Sequence, residues 1–162
     1  MKNNKGFSLV ELIIVIAIMA ILVGVMAPQL IKYIEKTNVS ADVQLCDSVR
    51  EAVQTAMMDP SVIAVSDNGI PAAGASGAAT FNNSKPFDEA VEEILGTKTP
   101  GDQIKSSAKK NSGVLMYKVG TNSVIVWITG SDNTGKKSTG YTAIDKTGGP
   151  GWIWAGDGSL LD

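Results

Sequence analysis

The stretch Lys5-Gly6-Phe7-Ser8-Leu9-Val10-Glu11, running straight into Leu12 to Ala27, decides how the rest of the chain is read. Every residue from Leu12 to Ala27 is apolar or glycine, and extending the run back to Phe7 interrupts it only at Ser8 and Glu11. As a helix those roughly 21 residues cover about 32 Å, the hydrocarbon thickness of a bilayer. Ahead of them Met1 to Gly6 carry Lys2 and Lys5 and no acid, so the positive-inside rule places the N-terminus in the cytoplasm and everything after the helix outside. Glu11 is the anomaly. A carboxylate in an apolar helix costs on the order of 2.5–3.5 kcal/mol at the bilayer centre and less toward an end, so it asks for a partner. A cleaved signal peptide fits poorly, because its one small-residue site, Val25-Met26-Ala27, is followed by Pro28 and it has no use for Glu11. A plain membrane anchor also leaves Glu11 unexplained.

Glycine, phenylalanine, a small hydroxyl residue, two aliphatics and glutamate, abutting an apolar run, resemble the class III leader and N-terminal helix of type IV pilins over roughly the first 30 positions. The resemblance implies that a prepilin peptidase cuts between Gly6 and Phe7, that the new Phe7 amine is N-methylated, and that the helix is retained. Chemistry then offers Glu11 its partner. The amine at Phe7, cationic at neutral pH, lies one helical turn away. When apolar helices pack side by side, the glutamate of one subunit faces the amine of a neighbour, and leaving either unpaired is costly. Pro28, one turn after Gly24, weakens the helix by removing a backbone hydrogen bond, and by resemblance this is where pilins lose regular helix in the filament.

The whole-chain composition narrows the remaining possibilities. With 162 residues and a net charge of −2, the chain holds one modest domain and no field that attracts nucleic acid, so nucleic acid is an unlikely partner. Removal of the leader would take away two lysines and no acid, leaving −4. The absence of histidine excludes Ser-His-Asp and Cys-His catalysis and His-ligated zinc. The single cysteine, Cys46, forms no intramolecular disulfide and reads as a small buried hydrophobe. The paired cysteines that close the C-terminal loop of many Gram-negative pilins are missing, which leaves the subfamily open.

Downstream of Pro28 the helix resumes, since 29–59 lacks proline and glycine until Pro60 stops it. Leu45, Val49, Ala52, Val53 and Ala56 share one face that needs a sheet to cover it. A continuous rod from Phe7 to Asp59 would be about 80 Å long, so its apolar half is expected to protrude. Beyond Pro60 lie 15 of the 17 glycines. Residues Ser61 to Asn83 read as a surface connection with one short extended piece. Pro86 to Leu95 reads as a short helix with Ser84 as N-cap and Gly96 as its stop. Val114–Val119, Ser123–Thr129 and Tyr141–Asp145 read as strands, with Trp152–Ala155 a fourth. The turn Gly120-Thr121-Asn122 joins the first two, and Val124 to Ile128, apolar on both faces, reads as the central strand.

The expected fold class is therefore α+β: a long N-terminal helix packed on a C-terminal antiparallel sheet, divided into a leader 1–6, a transmembrane and assembly helix 7–28, and a head 29–162 made of helix 29–59, connection 60–112 and sheet region 113–162. The head offers little chemistry. Asp145, Asp157 and Asp162 could bind calcium as in major pseudopilins, but ordinary turn usage explains them better, and no metal or other cofactor is expected. Lys105, Lys109, Lys110, Lys136 and Lys137 read as a solvated surface, and Trp152 and Trp154 as core or subunit contacts. No active site is recognisable. The resemblance implies a subunit of an extracellular filament, inserted in the membrane before assembly. Its implied partners are many copies of itself, a prepilin peptidase, a platform protein with its assembly ATPase, and minor pilins. The alternatives are a pseudopilin of type II secretion and a DNA-uptake pilin.

Overall fold

A computed structural model describes residues 7–106, 108, 113–121 and 123–128 and the backbone of 153–155. The chain divides into two units, residues 1–34 and 35–162. Helix α1, Leu9–Met58, supplies the first unit and opens the second, and it runs without a break through Pro28. In the first unit the apolar side chains from Leu9 to Ile34 are exposed.

The second unit is an α+β head. After α1 ends at Met58, Pro60 begins a further helical turn, α2 (Pro60–Ile63), whose N-cap Asp59 accepts the Ser61 amide at 2.8 Å. Pro60 thus stops one helix and starts another, as suits a residue with fixed φ and no amide to satisfy. Helix α3 spans Pro86–Leu95, the extent expected from sequence, and ends on Gly96 at φ 69°, a left-handed position that glycine adopts without a Cβ penalty. Its start differs from expectation. Lys85, not Ser84, is the N-cap and gives no side-chain cap, while Ser84 lies at φ 40° in the turn before it. The Asn83 amide donates instead to the Asp88 carboxylate at 3.0 Å, so an acid inside the first turn orders the approach.

Strands β1 (Ser76–Ala78), β2 (Leu115–Val119), β3 (Val124–Ile128) and β4 (Ile153–Ala155) form one antiparallel sheet in the order β1-β2-β3-β4. The β2–β3 hairpin closes as expected, with Val119 opposite Val124 and the Gly120 amide donating to the Ser123 carbonyl at 2.7 Å. All five β3 residues are buried, as expected of a strand apolar on both faces. Val124, Val126 and Ile128 join the core formed with Cys46, Val49, Ala52, Val53 and Ala56 of α1, and Ile125 and Trp127 alternate to the other face. Of the expected helix stripe Leu45 is only partly buried, whereas Cys46 beside it is fully buried, as expected of a small buried hydrophobe. Phe81, Phe87 and Tyr117 extend the core as an aromatic cluster, with ring centroids 6.3 and 5.9 Å apart. Burial and the adjacent Asp88 carboxylate push the Tyr117 phenol above its ordinary value.

One polar contact reaches across the head. Asp42 on α1 is buried, and its two carboxylate oxygens accept the Lys105 amide at 2.7 Å and the Ser106 amide at 2.9 Å. A carboxylate that has lost its water is thereby satisfied by main-chain donors some sixty residues later in the chain. The expected strand Tyr141–Asp145 and the candidate calcium ligands Asp145, Asp157 and Asp162 lie outside the described residues, as does the loop with Lys136 and Lys137.

Candidate assembly surface

The first unit is built by sequence to be helical and by composition to need a cover. Phe7 and the first helical turns stand fully in the open: Phe7 is 93 % exposed, and Leu9, Leu12, Ile13, Ile16, Ile21, Val23, Met26 and Ile31 all keep half or more of their surface uncovered. Each such side chain gains about 1.5–3 kcal/mol when it leaves water, so the surface is stable only against lipid or against another apolar surface.

Glu11 is placed by a local device at the start of α1. Ser8 precedes the first helical residue and Glu11 stands three residues later, and the Glu11 Oε2 accepts the Ser8 amide at 2.9 Å. This is the reach-back half of a capping box, and the S-x-x-E spacing ahead of an apolar run was its visible signal. The carboxylate is therefore held over the helix N-terminus, where the helix dipole favours an anion, and one residue from Phe7, the position at which the expected cleavage would create an amine. Gly6 and the leader lie outside the described residues.

Ala17, Ala20, Gly24 and Ala27 recur at three- and four-residue spacing along α1, and the position a Cβ would occupy at Gly24 meets nothing within 4 Å. Small residues in that order let a neighbouring helix approach closely, and close approach is the main source of cohesion between helices that are apolar all round. Pro28 follows, still inside α1. Of the sequence-derived site residues, then, Glu11 is held on the Ser8 amide, next in sequence to the exposed Phe7, and Pro28 lies some five turns along the helix.

Elsewhere the described residues contain no cluster of acids, cysteine or histidine able to hold a metal. Two open grooves of about 400 Å³ flank the head. Ala41, Leu45, Ile94 and Pro100 contribute to one, and Met57, Met58 and Thr121 to the other. Among their described lining residues neither contains an acid or a cysteine. Of the lysines considered for a basic face only Lys105 falls within the described residues.

Against known proteins, residues 1–27 match the family model described as the prokaryotic N-terminal methylation motif. The chain is 31 % identical over 136 residues to a fimbrial protein of Pseudomonas aeruginosa, a match covering 74 % of this chain and 88 % of that one. It is 39 % identical over 56 residues to the type IV major fimbrial protein FimA of Dichelobacter nodosus, covering 35 % of either chain. No solved structure matches significantly.

Proposed function

The chain belongs to the type IV pilin family, and from that premise we propose that it is the repeating subunit of an extracellular pilus, made as a membrane-inserted precursor and polymerised through its apolar N-terminal helix. The observation that carries this reading is the first unit itself, whose apolar side chains are uncovered from Leu9 to Ile34. In the membrane, lipid covers them. In the filament, copies of the same helix do, so that assembly exchanges one apolar neighbour for another and is driven by packing and by the polar groups at the helix start.

In this reading a prepilin peptidase cuts between Gly6 and Phe7 and methylates the Phe7 amine. Glu11, already positioned over the helix N-terminus, then attracts the cationic amine, either its own or that of the neighbour whose register it sets. A subunit advanced or retarded by a turn would leave a carboxylate and an amine unpaired among apolar side chains, and this is the main cost that selects the right register. The Gly24–Pro28 segment is the weak point at which the helix can yield on entering the filament. Work is supplied by a platform protein and cytoplasmic ATPase, with minor pilins as further partners. The likeness to fimbrial proteins, over most of the length of one of them, favours a pilus subunit over a secretion pseudopilin or a DNA-uptake pilin. The role is structural and not catalytic.

The mass of the N-terminal peptide from filaments sheared off cells tests the reading. A chain beginning at Phe7 with one added methyl group is expected, and one beginning at Met1 or Pro28 overturns the processing claim. Charge and capping at Glu11 separate in a pair of variants. Glu11→Ala removes both and should leave processing intact while abolishing filaments. Glu11→Gln keeps the reach-back bond to Ser8 and removes only the charge, so normal filaments from it would show that capping, not charge pairing, is what assembly needs.

A further inference from the structure

The apolar surface of the first unit does not end where the uninterrupted run does. Leu30 and Ile31, beyond Pro28, are 60 % and 69 % exposed and require the same cover as Val23 or Met26. The nearest ionised side chains on either side of this surface are Glu11 and Lys32, and the uncharged segment between them, Leu12 to Ile31, comprises about 20 helical residues, or about 30 Å, which equals the hydrocarbon core of a bilayer. Immediately after it come Lys32, exposed, and Tyr33, 67 % exposed. Their chemistry suits the zone between hydrocarbon and water. A lysine stem lies along acyl chains while its ammonium meets headgroup phosphates, and a tyrosine ring sits at the same depth with its hydroxyl toward water.

We infer that Lys32 and Tyr33 form a lipid-headgroup anchor that fixes the depth of the subunit in the bilayer, so that the outer hydrocarbon boundary falls between Ile31 and Ile34 and Pro28 lies inside the lipid before assembly. The inference rests on the membrane-inserted precursor of the proposed function and adds the position of its outer edge and the side chains that hold it. With Glu11 at the inner edge and Lys32 at the outer, the helix can neither sink nor rise by a turn without drawing a charge into hydrocarbon or pushing Leu30 and Ile31 into water.

The full-length chain inserted into vesicles of phosphatidylethanolamine and phosphatidylglycerol provides the test. Single substitutions Val23→Cys, Leu30→Cys and Ile34→Cys are labelled from outside with a membrane-impermeant maleimide, the parent chain with its buried Cys46 serving as the blank. Ile34→Cys should react at least about tenfold faster than Leu30→Cys and Val23→Cys, since one turn separates water from hydrocarbon. If Leu30→Cys reacts as fast as Ile34→Cys while Val23→Cys stays protected, the helix spans but the boundary is misplaced and the anchor is refuted. If Val23→Cys reacts as well, the membrane-inserted reading itself falls. Adding Lys32→Glu with Tyr33→Ala to the Leu30→Cys chain should raise its labelling severalfold as the helix loses its grip on the headgroups, and unchanged labelling would overturn the role of these two residues.

Discussion

Residues 9–34 and the head meet the same physical demand in opposite ways. Along the first the large apolar side chains are turned outward without internal cover, whereas the head encloses Val49, Val53, Phe87, Val126 and their neighbours almost completely. The head is a folded body with a core of its own. The first unit holds a helix by local hydrogen bonds and the capping contact at Ser8 and Glu11, and its apolar surface is satisfied only in company. Substitutions should therefore sort cleanly, with those in the head read in its melting and those in the first unit read in filament yield.

The largest expected contrast comes from placing the same acid in both units. Val53→Asp buries an unpaired carboxylate in the head core and should cost more than about 4 kcal/mol, enough to abolish a cooperative thermal transition. Val15→Asp should leave that transition where it is and eliminate filaments. If Val15→Asp also lowers the melting temperature of the head, the independence of the two units is wrong. Next in size is Asp42→Ala, which strands the Lys105 and Ser106 amides and should destabilise the head by about 2–3 kcal/mol in denaturant melts, with no effect on membrane insertion. Gly96→Ala forces a Cβ into a left-handed position with open space around it, so its cost of about 1 kcal/mol would be purely conformational.

The smallest effects are those of pH. The Ser61 side chain and amide hold the exposed Asp59 carboxyl below its ordinary value, so its contribution to α2 is present above about pH 4 and is lost as pH falls through the depressed value. Tyr117 has the reverse sign. Its raised value means that the folded head retains a proton the unfolded chain releases, so stability declines as pH rises above about 10. Tyr117→Phe should flatten the alkaline limb of the stability profile, and a limb left unchanged would assign it to other groups.

Features governed by neighbours in sequence were legible before the structure was known. The extent of α3 follows from Pro86 and Gly96, the β2–β3 hairpin from its turn residues, and the central place of β3 from apolar residues on both faces. The pairing of β1 was not legible beyond the hint of an extended piece, because Ser76-Gly77-Ala78 carries no alternation and joins β2 through backbone bonds alone. Ser84 looked like a cap by residue type, yet the turn before α3 uses it for its bend and leaves capping to others. Asp42 reads in sequence as one more polar residue of a helix, because its partners lie about sixty positions away. Within the assembly surface, the apolar run and Glu11 were apparent from composition, and the capping box was there to be read in Ser8 and Glu11.

The grip of Asp42 on its distant loop has a consequence for inheritance. It recognises only the amides of residues 105 and 106, which every amino acid except proline possesses. Lineages can therefore rewrite the exposed side chain at position 105, against a host's antibodies or a phage's receptor-binding proteins, while the clasp that keeps this stretch in place, with the buried Ser106 beneath it, is passed on unaltered.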